Sequence, residues 1–244
     1  MKQVSSEKYN VAWFKLADCV ARGEKIRALG VYRLLSHSLP DKALVRQLEG
    51  DLRLSFQDRF DALNLYQQAA ELYKIDGRLF ESAGVYEHLC VLDPHQISYY
   101  QALIDIYQHL ENSYKVFAVR IKLCEQYISQ KLFEQAHEQR LMLDIDFNPT
   151  LYTDFQIKLL TDQLGELYAQ YICTYLLELK LLGQVSDQLL DDIRATSKKT
   201  VDYLLSHSDS RKLVEYSTQL QAINHTYAQE IYSIVQVYKN TKKL

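Results

Sequence analysis

Histidine is the side chain best suited to binding a metal or moving a proton near neutral pH, and the chain has seven of them. A metal site built on one helix needs two ligands a turn apart, as in His-x3-His, so that both rings reach one ion. No such pair occurs. His88 and His95 stand on either side of a predicted helix end, and His37, His109, His137, His207 and His225 fall near helix ends or on polar faces, where a solvated imidazole needs no further role. Cys19, Cys90, Cys124 and Cys173 are isolated from one another, without the CxxC spacing of zinc or redox sites, and read as buried free thiols in a reducing compartment. The carboxylate pairs Asp144 with Asp146 and Asp191 with Asp192 point to different faces of a helix, so neither pair can share a proton or an ion. Gly77 and Gly84 do not form a phosphate loop, since neither GxGxxG nor GxxxxGK[ST] can be written, and no GxSxG nucleophile elbow is present. The expectation is a chain with no catalytic residues, no metal and no cofactor.

The elements that would position any such residues follow from composition. With 48% hydrophobic residues, 244 positions can bury a large core. Seven glycines and three prolines are too few for the hairpins of an all-β fold, which leaves helices. A net charge of −3, with both signs interspersed, offers no cationic face for a nucleic acid. Lys239, Lys242 and Lys243 read as solvated residues of a terminus. The opening MKQVSSEK carries no apolar signal core, and the most apolar stretch, Tyr171 to Leu182, is interrupted by Glu178 and Lys180 and is too short to span a bilayer. A cytoplasmic protein without membrane insertion is expected.

Internal periodicity is the strongest signal. One lattice repeats every 34 residues through Ala28 and Ala62, then Tyr32, Tyr66 and Tyr100, then Ala69 and Leu103, then Tyr73 and Tyr107. A second repeats every 54 residues and aligns Gly23, Gly30, Val31, Tyr32, Leu35 and Pro40 with Gly77, Gly84, Val85, Tyr86, Leu89 and Pro94. A weaker third copy matches Leu132, Phe133, Glu134 and Ala136 to Leu79, Phe80, Glu81 and Ala83, and Pro149 closes it. Proline lacks an N–H and fixes φ, so each copy ends a helix there. Between these anchors the apolar spacing predicts helices over 7–21, 24–37, 41–55, 60–74, 78–92, 96–111, 114–128 and 131–145. Gly30 and Gly84 are expected at close helix contacts. After Pro149 the lattice is lost. A long helix over 151–182 is predicted, capped by Gly183, with further helices over 187–206, 210–222 and 226–240.

These segments resemble the tetratricopeptide-repeat family. Trp13, Leu16, Ala17 and Val20, followed by Ala28, Tyr32 and Pro40, fit its helix pair. Tyr66, Ala69, Ala70 and Tyr73, followed by Ser82, Tyr86, Leu89 and Pro94, fit it best, and Tyr100, Leu103, Ile104 and Tyr107 supply another first helix. Small residues let helices approach while aromatics fill the groove between hairpins. The helix over 60–74 belongs to both lattices, as the second helix in one register and the first in the other. The resemblance implies an all-α, right-handed superhelical array of antiparallel helix hairpins over residues 1–149, with 150–244 as a helical extension that packs on or caps it. It also implies a non-catalytic scaffold or adaptor that binds a partner peptide or helix in a concave groove lined by first helices. Gln67, Glu71 and Lys74 from one helix, and Gln101, Asp105 and Gln108 from the next, are the candidate contacts. A secretion or assembly chaperone would use the same groove, and an enzyme subunit with a site in the C-terminal helices is the third reading. An uncapped solenoid end exposes apolar surface, which makes a second copy a further candidate partner. Of the 19 tyrosines, those on the lattice are expected in the core, while Tyr99, Tyr114 and Tyr152 lie off it and are expected at the surface.

Overall fold

The computed structural model describes residues 6–144, 147, 148, 150–152, 154, 155 and 229. Eight helices run through them in order: α1 (Ser6–Ala21), α2 (Lys25–Ser36), α3 (Lys42–Ser55), α4 (Arg59–Ile75), α5 (Leu79–Leu92), α6 (Ile97–His109), α7 (Ser113–Ser129) and α8 (Phe133–Leu141). No strand occurs among the described residues. Within residues 1–116 each helix packs on its neighbour in sequence, as the short connections require. All eight helices match predicted ones within a few residues. Beyond its first residues the predicted helix over 151–182 lies outside the described residues, as do the helices over 187–206, 210–222 and 226–240.

The turns explain why two lattices coexist. Five helices end on a residue in the left-handed region: Gly23 (φ 71°), Gln57 (φ 62°), Gly77 (φ 74°), Glu111 (φ 53°) and Lys131 (φ 60°). Each closes its helix by the same pair of hydrogen bonds, illustrated by Gly77 N–H to Lys74 C=O at 3.1 Å and Arg78 N–H to Tyr73 C=O at 2.8 Å. The remaining turns, after α2 and after α5, carry Pro40 and Pro94 instead. Left-handed turns therefore fall alternately 34 and 20 residues apart, the longer step holding two helices and a proline turn, the shorter step one helix. Three helices recur every 54 residues, and α4 belongs to both registers because it packs on both α3 and α5. The buried positions obey the same rule, since Ala28, Ser82 and Ala136 are fully enclosed and Leu35, Leu89 and Leu143 are buried.

The chain divides into two compact units between Val116 and Phe117. In the first, Leu16, Cys19, Ala28, Tyr32, Leu35 and Leu52 form one core, with Trp13 packed at its edge. Helices two apart begin side by side: Lys25 at the start of α2 bridges Asp58 at the start of α4 (2.6 Å), and Arg78 ahead of α5 bridges Asp41 ahead of α3 (2.5 Å). Asp41 also caps α3 by accepting from Leu44 N–H at 3.0 Å, and this bond with the Arg78 guanidinium holds its carboxyl below the usual range. In the second unit α7 and α8 bury Phe117, Val119, Ile121, Leu123, Cys124 and Ala136. Arg120, itself buried, donates to Gln139 Oε1 at 3.0 Å.

Two expectations about packing are corrected. Gly30 and Gly84 are exposed and nothing lies within 4 Å of where a Cβ would stand, so neither serves a close contact. The close approach is at Gly50, where a Cβ would lie 2.9 Å from Cε1 of the Tyr66 ring. Tyr99 and Tyr152 are buried, and only Tyr114 of the three off-lattice tyrosines is exposed. The reason for Tyr99 is its place one residue before lattice Tyr100, on a helix that is buried round much of its circumference.

Candidate partner-binding groove

Tyrosine hydroxyls set the geometry of the first unit. A buried phenol keeps its ring in the core only if its O–H finds an acceptor. Tyr66 O–H donates to Asp51 at 2.6 Å and Tyr73 O–H to Gln47 Oε1 at 2.9 Å. As the donor advances along α4, the acceptor retreats along α3, so the two helices are antiparallel. Gly50 lies between those acceptors and lets the Tyr66 ring lie against the α3 backbone. On the next two helices, Tyr86 O–H of α5 donates to Glu71 of α4 and Tyr107 O–H of α6 to Glu87 of α5, the latter at 2.7 Å. Burial, then the adjacent carboxylate, pushes the phenols of Tyr66, Tyr86 and Tyr107 well above their ordinary range, so all three stay protonated donors.

Along this pinned pair runs an open groove of about 990 Å³, flanked also by the C-terminus of α2. From α3 it takes Lys42, Val45, Arg46 and Glu49; from α4 it takes Asn64, Gln67, Gln68, Glu71, Leu72 and Ile75. Ser36, His37 and Leu39 complete the lining. The α4 residues recur every three or four positions and form one stripe, which is why the helix buries Ala62, Tyr66, Ala69, Ala70 and Tyr73 on its other face. Two chemistries divide the groove. Amides gather toward the start of α4, and aliphatic side chains flanked by Lys42, His37 and Arg46 gather toward its end. Glu49 is engaged within the fold, 3.3 Å from Arg46 and 3.9 Å from Arg53, and Glu71 accepts from Tyr86.

The structure places two of the six candidate contacts here: Gln67 and Glu71 line the groove. Lys74 is exposed on α4 but outside the lining. Gln101, Asp105 and Gln108 are exposed along α6, and none of them contributes to this groove. The groove runs between consecutive helices and does not link the outer faces of α4 and α6. Sequence reasoning missed Asn64 and Gln68, which share Gln67's stripe, and Lys42 and Arg46, one turn apart on α3. The helical period would have found the first two; nothing in the sequence alone tells which face of α3 meets α4.

His137 departs from its expected surface place. It is buried in the second unit, where burial and then the Arg140 charge lower its pKa to about 4, so the ring is neutral. Burial likewise pushes the Cys124 thiol up to about 12, which leaves it an unreactive hydrophobe. Among the described residues no three histidine, cysteine or acidic side chains gather as metal ligands, and no helix is long and apolar enough to cross a membrane. No protein-family model and no curated protein matches this chain.

Proposed function

We propose that this chain is a non-catalytic scaffold or adaptor that holds a segment of another protein in the groove between α3 and α4. The observation that carries this reading is the groove itself. The two helices that line it are pinned to each other by buried tyrosines on the opposite face of α4, while its stripe of exposed amides is not part of the buried core. A pre-formed concave surface binds with little ordering cost, which is what a recognition site needs. The wider architecture in this proposal is a right-handed, tetratricopeptide-like superhelix over residues 1–149, closed by 150–244. Ile75, 78% exposed beside Leu39 and Leu72, also suits an assembly or secretion chaperone that shields an apolar client segment. A light-scattering assay separates the two, because a chaperone keeps its unfolded client in solution and an adaptor leaves client aggregation unchanged.

Affinity capture on the tagged full-length chain, read by mass spectrometry, tests the proposal with two variants. Gln67→Arg/Gln68→Arg should abolish partner recovery, whereas Gln101→Arg/Asp105→Arg should leave it intact. Recovery that survives the first pair and is lost with the second would move the binding surface to α6 and sink the groove reading.

A further inference from the structure

We infer that this chain associates with a second copy of itself by laying the exposed face of α2 against the exposed face of α5. The repeat singles out both faces. A step of 54 residues carries Ile26 to Phe80, Gly30 to Gly84 and Leu34 to His88. In each helix the three positions are four residues apart and all are exposed, so they form one row on the solvent side. Ile26 is 88% exposed, Leu34 76% and Phe80 74%, which leaves a strip of apolar surface on each helix to water. The glycine at the centre of each row has nothing within 4 Å of where a Cβ would stand. Such a glycine weakens its own helix, but in a row of large side chains it opens a notch into which the ridge of a facing helix can settle.

Charge selects the occupant. The same step of 54 turns Arg27 into Glu81 and Arg33 into Glu87, and each pair flanks its glycine, one residue on either side of the row. α2 carries Lys25, Arg27 and Arg33 and no acid, whereas α5 carries Glu81 and Glu87 and neither Lys nor Arg. Two α2 faces therefore repel, as do two α5 faces, and only the unlike pair is matched in both spacing and sign. With the helices antiparallel and Gly30 on Gly84, Leu34 meets Phe80 and Ile26 meets the His88 ring. Like positions then share a flank, so Arg27 approaches Glu81 on one side and Arg33 approaches Glu87 on the other. The ion pairs within the fold leave room for this. Arg33 has no ion pair, and Glu81 accepts from Arg78 through Oε1 alone, at 3.0 Å. The pairs of Arg27 with Glu24 and of Glu87 with Lys115 are exposed to water, where such contacts hold weakly. Because the two faces are different patches, the contact is heterologous, and a copy joined through α2 still presents its α5. One helix pair is a small interface, which places the association in the weak class.

Sedimentation equilibrium of the full-length chain across a wide range of concentration is the test, with circular dichroism on every variant to certify its helices. The expected result is a weight-average mass above that of one chain, rising with concentration and lowered by salt. Arg33→Glu and Glu81→Arg should each weaken self-association about tenfold or more, since each sets like charges against one another. Mixed in equal amounts, the two variants should form a dimer, because the first keeps its α5 face and the second its α2 face. Gly84→Leu fills the notch and should abolish association while raising the urea midpoint, leucine being the better helix former with open space around it in the fold. Gly30→Leu should do the same from the other face, so loss of association is not loss of folding. Gln67→Arg/Gln68→Arg, in the α3–α4 groove, should leave the mass unchanged, which keeps this inference separate from the groove reading. A chain that stays monomeric throughout, an oligomer indifferent to Arg33→Glu or to Gly84→Leu, or a mixture that fails to dimerise would overturn it.

Discussion

Adding one methyl group at Gly50 tests the packing on which the groove rests. A glycine in the middle of a helix costs about 1 kcal/mol relative to alanine, because alanine loses less backbone freedom on folding. Gly30 and Gly84 are mid-helix, exposed and without any atom within 4 Å of the added Cβ, so Gly30→Ala and Gly84→Ala should each gain close to that amount. At Gly50 the new Cβ would stand 2.9, 3.0 and 3.2 Å from three carbons of the Tyr66 ring. That ring cannot swing aside, since it is buried and its hydroxyl is held by Asp51 at 2.6 Å. Overpacking of this kind costs about 1–3 kcal/mol, so Gly50→Ala should be less stable than Gly84→Ala by about that margin. Trp13, the chain's only tryptophan, packs at the core edge of the same unit, and its fluorescence during urea unfolding reports the difference. A Gly50→Ala protein as stable as Gly84→Ala would refute the claim that α3 and α4 are held at glycine distance.

Further outcomes follow from the turns, the phenols and the buried imidazole. Gln57 holds a left-handed φ of 62° that costs a side chain roughly 1–2 kcal/mol, so Gln57→Gly should stabilise the unit by about 0.5–1 kcal/mol in the same fluorescence assay once the entropy of glycine is deducted. Burial pushes the Tyr32 phenol up to about 12 from an ordinary 10, and Tyr66, Tyr73, Tyr86, Tyr99 and Tyr107 also move upward. The folded state thus keeps protons that the unfolded state releases, so stability is intact below pH 10 and is lost as pH rises through 12. Tyrosine ionisation at 295 nm should therefore coincide with loss of helical signal; ionisation with a common midpoint near 10 and helices intact would contradict it. His137 behaves in the opposite sense. Its folded pKa is about 4 against 6.5, so its contribution is whole above pH 6.5 and disappears as pH falls through 4. The proton NMR titration of His137 should show that low midpoint, and His137→Gln should lessen the acid sensitivity. Arg78→Ala removes the bridge to Asp41, the 3.0 Å contact to Glu81 and a guanidinium 4.4 Å above the Tyr73 ring, and should lower the urea midpoint in a way that high salt reduces.

The helices were legible because apolar spacing reports local periodicity, and Pro40 and Pro94 marked real turns. The left-handed turns at Gln57, Glu111 and Lys131 were hidden because those residues do not advertise positive φ, although they complete the alternation that reconciles the two lattices. Gly30 and Gly84 repeat in sequence without making a close contact, which falls instead to the unrepeated Gly50. The exposure of Gln67 and Glu71 was legible because a polar stripe opposite a core stripe faces outward by construction. The place of Lys42 and Arg46 on the groove was not, since it depends on which face of α3 adjoins α4, a matter of tertiary packing that helical period does not encode. The same limit hid His137, whose burial comes from its neighbours rather than from its own segment.

Hydrogen exchange of the full-length chain with a captured partner, read by mass spectrometry, tests the central claim most directly. The account predicts partner-dependent protection confined to residues 36–49 and 64–75, the two walls of the groove. Protection over α6 with those walls unchanged would show that the partner sits elsewhere.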